Sequence, residues 1–157
     1  MDWRADRLRS AERGENPTVI ARMRTGWAVI GDSQYLPGYC LLLHGGDAKG
    51  LTDLPLPEQM LFLRDMALLG QAVQGACSKL DTEFWRINYA ILGNTWEHLH
   101  AHVQARYRWE PEQYRTGPVW NYGSVRNAGE HRLGPRHDVL RATITQDLRR
   151  LMSEACD

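Results

Sequence analysis

Apolar positions along the chain fall into two rhythms. Thr18 to Met23, Trp27 to Ile30 and Gly38 to Leu43 are short β-prone runs. Arg24-Thr25-Gly26 separates the first two, and the turn-like Asp32-Ser33-Gln34-Tyr35-Leu36-Pro37 separates the second from the third. Three strands in meander order are expected. After Gly45-Gly46 the rhythm lengthens: Pro57 suits a first helical turn, and Leu61, Met66, Leu69, Val73 and Cys77 are among the apolar positions of a long helix over 57–79. Phe84 to Ala90 and Glu97 to Arg106 return to the strand pattern, with a loop containing Leu92-Gly93-Asn94 between them. From Asp138 the spacing Val139-Leu140, Ile144, Leu148, Leu151-Met152, Ala155 predicts a terminal amphipathic helix, with Asp138 as its N-cap. The expected class is α+β: a five-stranded antiparallel sheet, one long helix and an extra C-terminal helix.

The flanks are less regular. Residues 1–13 are charge-rich and predict a short surface helix or a frayed terminus, closed by Gly14-Glu15-Asn16-Pro17. Residues 107–137 hold Pro111, Pro118 and Pro135, four glycines and several aromatics without clear periodicity. Irregular segments of that length are uncommon unless functional or disordered.

At 157 residues, 43% hydrophobic and 24% charged, the chain suits one domain with a single core. Nineteen basic and nineteen acidic residues cancel, which argues against nucleic acid or an anionic membrane as the main partner. The cancellation hides local polarity. Residues 1–25 carry six Arg against four acids, 26–104 four bases against eight acids, and 105–137 six Arg against three acids. Three cysteines, far apart and outside any CxxC pair, indicate neither a disulfide framework nor a thiolate zinc site. With no apolar leader at the N-terminus and no apolar run of membrane-spanning length, a cytoplasmic location is expected.

Half of the six histidines fall within five residues, in His98-Leu99-His100-Ala101-His102-Val103-Gln104. On a strand, residues i, i+2 and i+4 face one side at roughly 6.6 Å per step. On a helix they diverge, so the alternation favours a strand bearing a joint site. Three readings compete. The histidines could be polar positions on a wet sheet face. They could bind a metal, with His44 or Glu97 as a further ligand, although no second His or Cys pair has ligand spacing. Or one neutral imidazole could attack phosphorus while its neighbours supply protons and hydrogen bonds. Gly93-Asn94-Thr95, just upstream, offers a backbone N–H, an amide and a hydroxyl to phosphate oxygens.

The cluster resembles the HφHφHφφ signature of the histidine triad superfamily of nucleotide hydrolases and transferases. Further likenesses lie in order along residues 14–106. Gly14-Glu15-Asn16-Pro17 resembles the family's GE-x-P entry, Trp27 to Asp32 the strand ending in a ribose-binding acid, and Pro37-Gly38 the PGH turn. Asn88 resembles the Asn of the preceding strand, and Arg106 the Arg of the PR that follows the triad. The resemblance implies a histidine triad core over 14–106, completed by 107–157. It also implies that His100 is the nucleophile toward the α-phosphorus of a nucleotide, that His98 orients it, and that His102 contacts the phosphate or bridging oxygen. Thr95 would stand near the leaving group. Asp32 would accept from ribose hydroxyls, Ile30 would line the base pocket, and Asn88, Gly93 and Asn94 would complete the substrate contacts. Two positions depart from the family pattern: Asn94 replaces a Gln, and Tyr39 replaces the His of PGH.

The expected activity is hydrolysis of a nucleoside 5′-phosphoric anhydride of dinucleoside polyphosphate type through a nucleotidyl-His100 intermediate. The alternatives are phosphoramidate hydrolysis, nucleotidyl transfer, or non-catalytic nucleotide binding. Arg108, Arg115, Arg126, Trp109, Tyr114 and Trp120 could hold polyphosphate and stack a second base. No cofactor or structural metal is expected beyond a divalent ion travelling with the nucleotide. The resemblance further implies a homodimer.

Overall fold

The computed structural model describes residues 2–156; Met1 and Asp157, the outer ends of the two flanking segments, lie outside the described residues. The β-prone runs form five strands, β1 (Val19–Arg22), β2 (Gly26–Ile30), β3 (Cys40–His44), β4 (Phe84–Ala90) and β5 (His100–Tyr107). They join in one antiparallel sheet of order β1-β2-β3-β5-β4. The first three are a meander. The long helix then carries the chain across the sheet, so that the second hairpin inserts β5 beside β3 and leaves β4 at the edge.

Among the described residues four α-helices accompany the sheet: α1 (Arg7–Glu12), α2 (Leu56–Leu80), α3 (Glu112–Arg115) and α4 (Asp138–Ala155). Helix α2 buries Phe62, Leu69, Ala72, Val73, Ala76 and Cys77, one apolar stripe that seats on the sheet. Its partner α4 buries Leu140, Ile144 and Leu148 in the same core. From the strands, Ala28, Ile30, Cys40, Leu42, Leu99, Ala101, Val103 and Ala105 join them. Alternation therefore sends the even-numbered residues of β5, the histidines among them, to the opposite face. At the start of β3, Gly38 holds φ +104°, and a Cβ there would stand 2.4 Å from the Cys77 sulfur. The Pro37-Gly38 turn thus needs glycine both for its backbone and for the close approach of α2.

Strand β5 begins at His100 rather than at Glu97, and the reason lies in its neighbour. Strand β3 ends at His44, where Gly45-Gly46 turns away. Leu99 keeps two ladder-like bonds to the end of β3 and the chain just after it, its N–H to the Ala48 carbonyl (2.9 Å) and its carbonyl from His44 N–H (3.0 Å). One residue earlier, His98 N–H bonds Trp96 O in a tight turn (2.8 Å).

The 107–137 segment is ordered and packs over the triad face of β5. Its anchor is Arg106, whose guanidinium is 1% exposed and pairs with Glu110 (2.9 Å), 0% exposed. Arg106 also donates to Asn88 Oδ1 (2.8 Å), Gly117 O (2.7 Å) and Tyr114 O (3.0 Å). Glu110 accepts in addition from Tyr107 N–H (2.7 Å) and the Tyr122 hydroxyl (2.6 Å). Burial opposes ionisation of Glu110, but the bonds from Arg106, Tyr122 and Tyr107 outweigh it and hold the carboxyl below the usual range. A buried charge with this many donors fixes the chain around it, which is why a segment without periodicity has a defined path.

The N-terminal extension is likewise docked. A 3-10 turn (Trp3–Asp6) leads into α1. Ser10 Oγ, buried, donates to the carbonyls of Trp3 (3.1 Å) and Arg7 (3.0 Å). The Asn16 amide donates to Arg7 O (3.1 Å) and its Oδ1 accepts from Thr18 N–H (2.9 Å). Among the described residues no helix is long and apolar enough to cross a membrane.

Candidate active site

The three histidines lie at the N-terminal end of β5, His98 in the turn before it, each with a different tether. His98 donates from Nε2 to the His44 carbonyl (2.7 Å). His100 donates from Nδ1 to the His98 carbonyl (2.6 Å). With Nδ1 protonated by that bond, the other nitrogen of a neutral His100, Nε2, keeps its lone pair. His102 sits 5.0 Å from His100, ring centroid to centroid, in an edge contact. Its Nδ1 meets the Tyr39 hydroxyl at 2.7 Å, and the two rings are parallel within 8°. Burial pushes the Tyr39 phenol up, so it remains a hydroxyl. Burial, the neighbouring His100 and Arg126 together lower His102 to about 4. Both partners are thus neutral at ordinary pH. A phenol donates more readily than it accepts, which leaves Nε2–H of His102 as the outward donor.

His100 is 7% exposed, and it lines a cavity of about 250 Å³ together with Val29, Ile30, Asp32, Tyr39, Leu41, Leu43 and Trp96. The wall is apolar on the β2–β3 side and polar near Asp32, Asn16 and Thr18. Ile30, expected in a base pocket, borders this cavity, but its side chain packs in the helix-covered core. Val29, one residue earlier and opposite Leu41, has the parity of the triad face. Asp32 lies at the cavity's polar end. Its carboxylate is held by Arg7 of the N-terminal extension, at 2.5 Å through Nη2 and 3.4 Å through Nη1.

Asn94 and Thr95 are exposed in the loop before β5 and line neither cavity beside the triad; Gly93, at φ +75°, shapes the same loop. The residue that approaches the histidines from this loop is Trp96. Its ring lies 5.0 Å from both His98 and His100, at 22° and 34°. Nothing in the local pattern distinguishes that tryptophan from a loop residue. Its place two positions before the first histidine is the only signal.

On the other side of His102, Trp120 makes an edge contact at 6.4 Å and borders a second cavity of about 480 Å³ along β4. Asn88, Gln104, Arg86 and Arg115 line it as well. Arg126 faces Tyr39 and Gln104 across a smaller recess; its Nε is buried without a hydrogen-bond partner. Of the six loop residues expected to hold polyphosphate and a base, the structure brings Arg115, Trp120 and Arg126 to the triad's surroundings. The other three serve packing: Trp109 stacks on Tyr107, Arg108 lies over Trp85, and Tyr114 stacks on Tyr122.

His44, a candidate further metal ligand, accepts from Gly46 N–H through Nδ1 (3.1 Å), and Glu97 pairs with Lys49 at 4.0 Å. Among the described residues no three His, Cys, Asp or Glu side chains converge as a metal-holding group.

No protein-family model and no curated protein matches the chain. Solved structures do. A histidine triad protein from Sinorhizobium meliloti 1021 superposes with a TM-score of 0.68 at 22% identity, covering 94% of this chain and 95% of that one. One from Bradyrhizobium japonicum gives 0.65 at 22% identity, with 90% and 95% covered. A hypothetical histidine triad nucleotide-binding protein from Sulfolobus tokodaii strain7 gives 0.66 at 10% identity, with 92% and 91% covered. At such identities the likeness is one of architecture, and it spans nearly the whole of each chain: this protein has the histidine triad fold.

Proposed function

We propose that the protein is a nucleotide hydrolase that cleaves a nucleoside 5′-phosphoric anhydride through a covalent intermediate on His100. The observation that carries this reading is the Nδ1–H bond from His100 to the His98 carbonyl, which leaves Nε2 as a free nucleophile beside the cavity. In the first step the Nε2 lone pair attacks the α-phosphorus. The P–O bond to the adjoining phosphate breaks, and that phosphate leaves with the electron pair. His102 Nε2–H donates to a phosphoryl oxygen as charge develops. Water then cleaves the P–N bond, releasing the nucleoside monophosphate and restoring neutral His100.

The dinucleoside polyphosphate form of the substrate draws support from the cavity along β4. It begins at Trp120 beside His102, and with Arg115 and Asn88 it offers a stacking face, a cation and an amide to a second nucleotide. Arg126 is a cation without a hydrogen-bonded partner at Nε, suited to the departing phosphates. The homodimer implied by the family resemblance belongs to the same proposal and is read from the mass in solution.

The test is incubation with a diadenosine polyphosphate and, in parallel, with an AMP-lysine-type phosphoramidate. Rapid denaturing quench is expected to trap label on the protein, acid-labile as a phosphoramidate to histidine is. His100→Asn is expected to lower turnover by roughly 10³-fold or more. Binding of both compounds without turnover of either would leave only a nucleotide-binding module. A loss of only a few-fold in His100→Asn would move the chemistry elsewhere.

A further inference from the structure

The polar end of the His100 cavity is built for more negative charge than an unmodified ribose brings. Asp32 stands where two ribose hydroxyls would donate, yet Arg7 already occupies Oδ2 at 2.5 Å and reaches Oδ1 at 3.4 Å. A free diol would have to share Oδ2 with this charge-assisted bond. Next to Asp32 lies a further cavity of about 380 Å³, lined by Arg4, Asp32, Ser33, Asn127, Ala128 and Arg132. It shares Asp32, Ser33 and Asn127 with the His100 cavity, so the two adjoin along these residues.

The basic residues around it are positioned by other contacts. Trp3 is flanked by two guanidinium carbons, Arg4 at 4.3 Å and Arg7 at 5.0 Å from its ring centre. Arg132 is held alongside by backbone bonds on either side of it, Gln34 N–H to His131 O (2.7 Å) and Leu133 N–H to Asp32 O (2.8 Å), and by a bridge between Ser33 and Arg132. The nearby carboxylates are engaged: Asp2 caps Arg4 N–H and pairs loosely with its guanidinium (3.8 Å), Asp6 pairs with Arg9 (3.6 Å), and Glu130 lies 3.5 Å from His131.

We propose that this basic recess binds a phosphate carried on the 2′ or 3′ hydroxyl of the substrate's ribose. The proposal rests on the reading of the His100 cavity as a nucleotide site and specifies which nucleotides it takes. Asp32 Oδ1 accepts from the remaining hydroxyl. Arg7, with five N–H donors, spans the carboxylate and the phosphate, and Arg4 and Arg132 complete the anion's shell.

Titration calorimetry on the full chain tests this with AMP, ADP, adenosine 2′,5′-bisphosphate and adenosine 3′,5′-bisphosphate, and with the matching guanosine series. ADP and the bisphosphates are isomers, but the bisphosphates carry about one more negative charge because both of their phosphates are terminal, so the 2′,5′ and 3′,5′ compounds, equal in charge, are also compared with each other. One bisphosphate is expected to bind at least about tenfold more tightly than its 5′-diphosphate isomer, and which one identifies the hydroxyl. Arg132→Ala and Arg4→Ala, both at exposed positions, are expected to bring that ratio to within about threefold of one. If the diphosphate binds as well as both bisphosphates, the ribose-phosphate recess is wrong while the nucleotide site stands. If none of the compounds binds in either series, both readings fall.

Discussion

The hydroxyl of Tyr39 meets Nδ1 of His102 at 2.7 Å, with the two rings parallel within 8°. The family pattern has a histidine at position 39. Here a phenol at the same turn fixes the tautomer of the third triad histidine. Tyr39→Phe keeps the ring and removes the bond, so His102 is free to place its proton on either nitrogen. Turnover is expected to fall by about tenfold with little change in KM, since the lost bond orients a donor that acts as charge develops. A kcat equal to wild type would show that the phenol does not set the tautomer.

Trp96 covers two triad rings at once. Trp96→Ala removes that cover and one wall of the His100 cavity, and is expected to weaken nucleotide binding by about tenfold, the scale of a lost stacking contact. Tryptophan fluorescence measured on adding nucleotide checks this twice. The wild-type signal should change on binding, and that change should diminish in the variant. An undiminished change would place the ligand away from Trp96.

Three histidines make the fold acid-sensitive. Burial is the largest cause in each case, lowering His102 to about 4 and lowering His44 and His137 from the ordinary value. Unfolding returns each to about 6.5, so between pH 6.5 and 4 the unfolded chain binds more protons than the folded one. Stability from these groups is therefore fully present above about pH 6.5 and declines as the pH falls toward 4. The Tm measured across that window should drop with acid, and His102→Gln should make the slope shallower. An unchanged slope would mean that His102 is protonated in the folded state.

The Arg106–Glu110 pair is buried on both sides. Glu110→Gln preserves the shape but leaves the guanidinium charge uncompensated, and a loss of about 3–5 kcal/mol in urea denaturation is expected. A loss under about 1 kcal/mol would mean that water reaches Arg106.

Periodicity carried the fold into the sequence. Strand alternation on β5, the helical stripe of α2 and that of α4 are local patterns, and each element stands within a few residues of where its pattern lies. The same alternation puts His100 and His102 on one side, whereas His98 stands in the turn before β5 and is held by its bond to the His44 carbonyl. The local pattern does not set parity at Ile30, because β2 is buried on both faces and its sequence does not alternate between apolar and polar. Two site features lie beyond any local pattern. Arg7 meets Asp32 across 25 residues, and Ser33 bonds the Arg126 carbonyl across 93. Such contacts come from the docking of α1 and of the 107–137 segment, and charge-rich or proline-rich composition does not encode where a segment docks.

The shell around Arg106 sets the smallest piece of this chain that can be lifted out intact. A fragment ending at residue 106 would carry the triad and all five strands except the last residue of β5, Tyr107, yet its buried guanidinium would keep Asn88 and lose Glu110, Tyr114 and Gly117. A fragment starting at residue 14 would strip the Arg7 carbonyl from the Asn16 amide and the guanidinium from Asp32. Grafts, fusions and truncations therefore belong outside both flanks, and a tag is better carried at the C-terminal end of α4 than beside Trp3, next to Arg4 of the cavity at Asp32.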